Sequence, residues 1–293
     1  MGSFPPEANP PSVVLPRDAE ILPPEGGSMP PSGAPVRRRR AVWAAAPATH
    51  VLIAVNCLVF LLMVWRGISP MNPGVDQLMH WGANNAGSIL IDGQWVRIVT
   101  AMFLHVGLIH LATNMWCLWN LGLLAEPLIG SFGLLAAYVL TGAAGNLLSA
   151  WANWVWPIRE GGAIYFPAGA GASGAVFGIA GILIVLLKSK QLPVPELELK
   201  KLRKSVIYFA AINLVIGFSI WGGNQVVHSG LNIDNMAHLG GFAGGLLMAM
   251  PMVPRIGSEP GSFKTRLRAA ILMMVGLLVL FGFYIAHVPP PQG

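Results

Sequence analysis

Charged residues are scarce in this 293-residue chain. Asp, Glu, Lys and Arg together make up 10% of it, where about 25% is ordinary for a soluble domain. A soluble globule of this length needs more polar surface than that, which excludes a soluble enzyme. A disordered scaffold is excluded from the other side, because 54% of the residues are hydrophobic. Cysteine is nearly absent. The two present, Cys57 and Cys117, both fall in apolar stretches, so no disulfide framework is expected. No internal repeat of fixed period is visible, and no apolar core with a small-residue cleavage site precedes residue 41. The first apolar span is therefore the expected insertion signal.

What the chain does have is long charge-free windows, at 41–65, 98–125, 127–158, 161–187, 205–233, 235–254 and 269–293. Spanning a hydrocarbon layer takes about 20 such residues as a helix, and the windows lack the strict alternation of a barrel strand. The expected fold class is an all-α polytopic membrane protein with seven spans, near 49–66, 106–126, 132–154, 170–188, 205–221, 236–253 and 268–287. Placing the N-terminus in the cytoplasm puts 15 of the 18 basic residues inside and leaves Arg66, Arg97 and Arg159 outside, a positive-inside bias. The net charge of +6 thus reflects topology and attraction to anionic lipid rather than a nucleic-acid surface.

Ten prolines in the first 36 residues leave too little apolar surface to fold. Residues 1–48, with the Arg37–Arg40 cluster, are expected to be a disordered cytoplasmic tail open to a proline-recognising partner. Residues 49–253 form the expected six-helix core, with an outer loop at 67–105 long enough to carry function. Its Trp81, Ile89, Leu90, Ile91 and Trp95 suit the membrane interface. A cytoplasmic linker, 254–267, then leads to one further span and a short tail, 268–293.

Polar groups inside a span are costly and call for a reason. His110 and Asn114 lie four residues apart, on one face near the start of span two. Ser173 opens span four, and His238 lies near the start of span six. With the N-terminus inside, these three spans all run inward, so the four side chains meet in one layer near the outer face. Singly, each reads as a packing or interhelical hydrogen-bonding residue. Jointly they supply a nucleophile, a base and donors for an oxyanion, the parts that acyl transfer requires. Asp234, four residues before His238, is a candidate orienting partner for it, although a serine–histidine dyad fits better. Gly169-x-Gly171-x-x-Gly174 lacks the acidic residue and βαβ setting of a dinucleotide site. No His is followed by Glu, and the His110–Asn114 pair lacks a further ligand. Neither a cofactor nor a metal is expected.

These residues resemble the rhomboid intramembrane serine proteases over roughly 50–253. Gly171-Ala172-Ser173-Gly174 is similar to the family's nucleophile motif, and Ala237-His238 with Gly241 and Gly245 to its base motif. His110-x-x-x-Asn114 is similar to its oxyanion pair, Glu126 to a glutamate at the inner end of the second helix, and Arg97 to its loop arginine. The resemblance implies that Ser173 attacks a peptide bond in a transmembrane-helix substrate and that His238 acts as base and then acid. It also implies that His110, Asn114 and the Ser173 amide hold the oxyanion. Two positions depart from the family pattern: Val96 separates Trp95 from Arg97, and Phe177 replaces a tyrosine that stacks on the catalytic histidine. The span at 268–287 is similar to the seventh helix of six-plus-one members. The acidic residues Glu7, Asp18, Glu20 and Glu25 do not suit a transit peptide, so a bacterial plasma membrane is the expected location.

Overall fold

Helix formation here follows from the membrane-type composition, since a chain this apolar satisfies its backbone best within each segment. The computed structural model describes residues 46–188, 197, 200–208, 211, 234–253 and 260–291. Residues 1–45 of the expected tail, 1–48, and most of the expected fifth span, 205–221, lie outside the described residues. Helix α1, Pro47–Trp65, begins with a proline in its first turn, where the missing N–H costs nothing. Its buried side chains Thr49, Leu52, Asn56, Phe60 and Met63 recur at helical spacing. Val51, Leu58, Leu61 and Leu62 are exposed on the other side, as on a lipid-facing surface.

Helix α1 is pinned to the next span by Glu126. The carboxylate accepts hydrogen bonds from the Ala48 and Thr49 amides, both at 2.8 Å, and from the Thr49 hydroxyl at 2.7 Å. It thereby occupies first-turn amides that a helix cannot satisfy by itself. Ser131 donates to the same group at 2.7 Å.

The expected loop 67–105 is not structureless. It holds α2, Val75–His80, α3, Ala86–Leu90, and α4, Arg97–Thr100, followed by a 3-10 turn at Ala101–Phe103. A small core of Met63, Ile68, Leu78, Ala83, Leu104 and Ala168 seats it. Of its apolar residues, Ile89 is fully buried, whereas Ile91 is exposed. Arg97 anchors it: Nη1 donates to the carbonyls of Met79 at 2.7 Å and Ala83 at 3.0 Å, and Nε to Gln94 at 2.6 Å. The Val96 insertion therefore leaves the arginine seated within its own loop.

Helix α5, Leu108–Val155, contains two of the expected spans as two arms broken at Gly130, whose φ of 78° and ψ of 161° are non-helical. Only glycine adopts that φ without strain. A hairpin of β1, Ile158–Glu160, and β2, Ala163–Tyr165, follows. The site helices are α6, Ser173–Leu186, and α7, Asn235–Ala249. Helix α8, Pro260–Ala286, starts eight residues before the span expected at 268.

Among the described residues three helices, α1, α5 and α8, are long and apolar enough to cross a membrane. The fold is thus a mostly helical one with several long apolar helices, as a polytopic membrane protein requires. Helix α6 is shorter than the span expected at 170–188. Its 14 residues rise about 21 Å, less than the roughly 30 Å hydrocarbon layer. The cause lies in the preceding residues. Gly169 pairs with Asn84 in an antiparallel bridge, and Gly171 has a φ of 140°, so the chain cannot be helical before Ser173.

Candidate active site

Helices α6 and α7 touch through glycine. A Cβ on Gly241 would run into the Gly174 carbonyl, one on Gly245 into the Gly178 carbonyl, and one on Gly181 would lie 2.6 Å from the Phe242 carbonyl. Both helices also lie on the second arm of α5, where a Cβ on Gly145 would come within 2.5 Å of the Ala237 carbonyl. Such close backbone approach is what small residues permit in membrane helices.

This packing brings the first turns of α6 and α7 together. His238 Nε2 lies 2.9 Å from Ser173 Oγ, within hydrogen-bond reach, and His238 is 8% exposed. Phe177, one turn after the serine, stacks on the imidazole with centroids 4.4 Å apart and planes 13° apart. The phenyl ring thus occupies the face of the histidine that the family resemblance implied for it.

His110 lies against Gly171, two residues before Ser173. A Cβ on Gly171 would sit 2.7 Å from His110 Cε1, 3.1 Å from its Nε2 and 3.7 Å from Ser173 Oγ. Glycine is required there on two counts, its φ and that imidazole. The Val106 amide donates to His110 Nδ1 at 3.4 Å, which leaves Nε2 as the protonated nitrogen of the neutral ring. Asn114 is buried one turn further on, and its Nδ2 donates to the His110 carbonyl at 2.9 Å. Serine 173 is the first residue of α6, and its cap residue Ala172 offers no side-chain hydrogen bond, so first-turn amides are left for a ligand.

Asp234 does not orient His238. Its Oδ1 accepts from the Ala237 amide at 2.9 Å, capping α7, and its other oxygen accepts from the Ser149 hydroxyl, while His238 Nδ1 is buried with no hydrogen-bond partner among the described residues. Burial pushes the Asp234 carboxyl above the usual aspartate range, against the hydrogen bonds from Ser149 and the backbone.

Four buried residues around the site have no role in the sequence reading. Asn146 donates to the Ile98 carbonyl at 2.7 Å and Asn84 donates to the Asn146 carbonyl at 3.1 Å, tying the outer loop to α5. Asn146 and Ser149 are polar residues inside a charge-free window, and that cost was the signal for them. His105 is fully buried, its ring 5.4 Å from that of His110. Burial, and secondarily His110, push its pKa down to about 3. Its spacing of five from His110 was the only hint. Among the described residues no cluster of His, Cys, Asp or Glu could hold a metal ion.

Close-packed apolar helices carrying a serine and histidine at one end define a helical membrane protein with a partly buried serine–histidine pair. Comparison with known proteins narrows this. The family model described as a Rhomboid domain matches residues 92–255, more than half of the chain, and the chain belongs to the rhomboid family. It is similar to Rhomboid protease GluP of Bacillus subtilis (strain 168), 31% identical over 246 residues that cover 83% of this chain and 41% of that protein. It is also similar to Rhomboid protease AarA of Providencia stuartii, 29% identical over 255 residues, covering 82% and 84%. The chain therefore spans less than half of the first relative and most of the second. Family and apolar helices together make it an integral membrane protein.

Proposed function

We propose that this chain is an intramembrane serine endopeptidase that cleaves transmembrane helices of membrane-protein substrates near the outer membrane face. The observation that carries the reading is the 2.9 Å approach of Ser173 Oγ to His238 Nε2, beside His110, whose Nδ1 accepts from the Val106 amide. His238 takes the serine proton as Oγ attacks the scissile carbonyl, and the tetrahedral oxyanion is held by His110 Nε2–H, Asn114 and the Ser173 amide. His238 then protonates the leaving amine, and a water that it activates releases the acyl-enzyme.

Phe177 keeps the imidazole in plane through that exchange. With Asp234 engaged by Ser149 and Ala237, the reaction runs on a dyad, with no cofactor and no metal. The short α6 supports cleavage below the outer surface, and the irregular 166–172 segment is tolerable at that depth because Asn84, Asn85 and Ala101 bond its backbone groups. The same reading includes seven spans, a cytoplasmic Pro-rich tail over 1–48, a core over 49–253, a linker over 254–267 and an added helix over 268–293. It includes residence in a bacterial plasma membrane.

The test is intact-mass analysis of the detergent-solubilised chain treated with a fluorophosphonate, beside Ser173→Ala and His238→Ala. One adduct on the wild type, missing from both variants, is expected. No adduct on a folded wild type would overturn the reading in favour of a helix-binding protein without turnover.

A further inference from the structure

The nucleophile segment is braced from the far end of the added helix. Trp154, near the end of α5, is buried, and its indole N–H is shared between the carbonyls of Val288 at 3.2 Å and Pro289 at 3.1 Å. These carbonyls lie just beyond α8, in Val288-Pro289-Pro290-Pro291. Consecutive prolines fix φ and push the residue before them to extended backbone, so the two acceptors are held in place at little entropic cost. Trp154 in turn stacks on Phe166, with centroids 5.3 Å apart and planes 19° apart.

Phe166 opens the non-helical segment that ends at Ser173. Its carbonyl accepts from Asn85 Nδ2 at 2.7 Å, and its ring lies so close to Gly87 that a Cβ there would be 3.0 Å away. Further along, Gly169 and Asn84 exchange two backbone hydrogen bonds of 2.8 Å, and the Gly171 amide donates to the Ala101 carbonyl at 3.0 Å. One helical turn before the chain end of α8, Gly282 faces the Trp95 ring of the outer loop, 3.5 Å from the position a Cβ would take. The end of α8 thus reaches the loop through Trp95 and the nucleophile segment through Trp154.

We infer that Trp154 is a positioning residue, which couples the outer end of the seventh helix to the 166–172 segment and so sets the seating of Ser173 against His110 and His238. The inference rests on the proposed protease activity for its kinetic consequence and on backbone hydrogen bonds for its structural one. Trp154→Phe keeps an aromatic ring beside Phe166 and removes the N–H together with the second ring of the indole. A chain ending at Ala286 removes the two acceptors.

The purified full chain, each variant and their combination are compared by hydrogen exchange, by the rate of fluorophosphonate labelling of Ser173, and by kcat and KM on a transmembrane peptide in proteoliposomes. Each single change is expected to speed exchange at Gly169 and Gly171 and to slow labelling and kcat about fivefold, the size of one hydrogen bond, with KM unchanged. The combined variant is expected to lose no more than either alone, since both remove the same contact. Wild-type exchange and labelling in both single variants, or losses that add in the combination, would overturn the brace. Hydrogen exchange needs no turnover, so a wild type that neither labels nor cleaves, while the variants still loosen Gly169 and Gly171, would sink the protease reading and leave the brace standing.

Discussion

Two histidines five residues apart do different things because one has a hydrogen bond and an open neighbour and the other is enclosed. His110 receives the Val106 amide and faces Gly171 and the serine. His105 is wholly buried beside it, with its pKa held at about 3 by burial first and His110 second. A histidine whose folded pKa is depressed takes up its proton more readily in the unfolded chain. Its stabilising contribution is therefore complete above the ordinary value of about 6.5 and is lost as pH falls from there toward 3. The thermal midpoint of the wild type is expected to fall with acidification through this window, and His105→Gln is expected to flatten that part of the slope. Parallel melting curves for the two proteins between pH 7 and 4 would show that His105 is not held neutral by the fold.

At the scale of elements, the proximity of Ser173 and His238 is a product of glycine spacing on two helices. Gly174 and Gly178 face Gly241 and Gly245 at backbone contact, and this contact sets the distance between Ser173 and His238. Gly241→Val forces the helices apart against a carbonyl that cannot yield. Loss of cleavage and of serine labelling by more than about a hundredfold is expected, since a displacement of about 1 Å at a reacting pair costs that much. Full turnover in a folded Gly241→Val protein would show that the helices do not owe their approach to that residue. The glycines and the serine and histidine were all legible in the sequence, because a polar group in a charge-free window stands out. The start of α6 was not. The two glycines of Gly169-Ala170-Gly171-Ala172 weaken a helix there without fixing where it starts, and the non-helical form depends on Asn84, Ala101 and His110, which come from other parts of the chain.

Across the whole molecule, buried polar side chains join elements that apolar packing alone would leave free to slide. Glu126 is the clearest case, gathering donors from α1 and from Ser131 beyond the end of its own arm. Glu126→Ala strands these groups without acceptors, and a loss of about 3 kcal/mol is expected, read as a lower unfolding midpoint in detergent with the serine still labelled in the protein that remains folded. An unchanged midpoint would mean that α1 is held by its apolar face alone. The sequence by itself determined that the chain is membrane-borne and helical, and it singled out Ser173, His110, Asn114 and His238 as polar residues near the starts of apolar stretches. Those follow from composition and from the period of the helix, which are local properties. Only the tertiary structure decided that Asp234 caps α7 and bonds Ser149 instead of touching His238, that the outer loop is folded on Arg97, and that Trp154 ties the far end of α8 to the segment before the serine. Each of these depends on which carbonyl or carboxylate comes within about 3 Å of a donor far away in the chain, and helical periodicity carries no information about that.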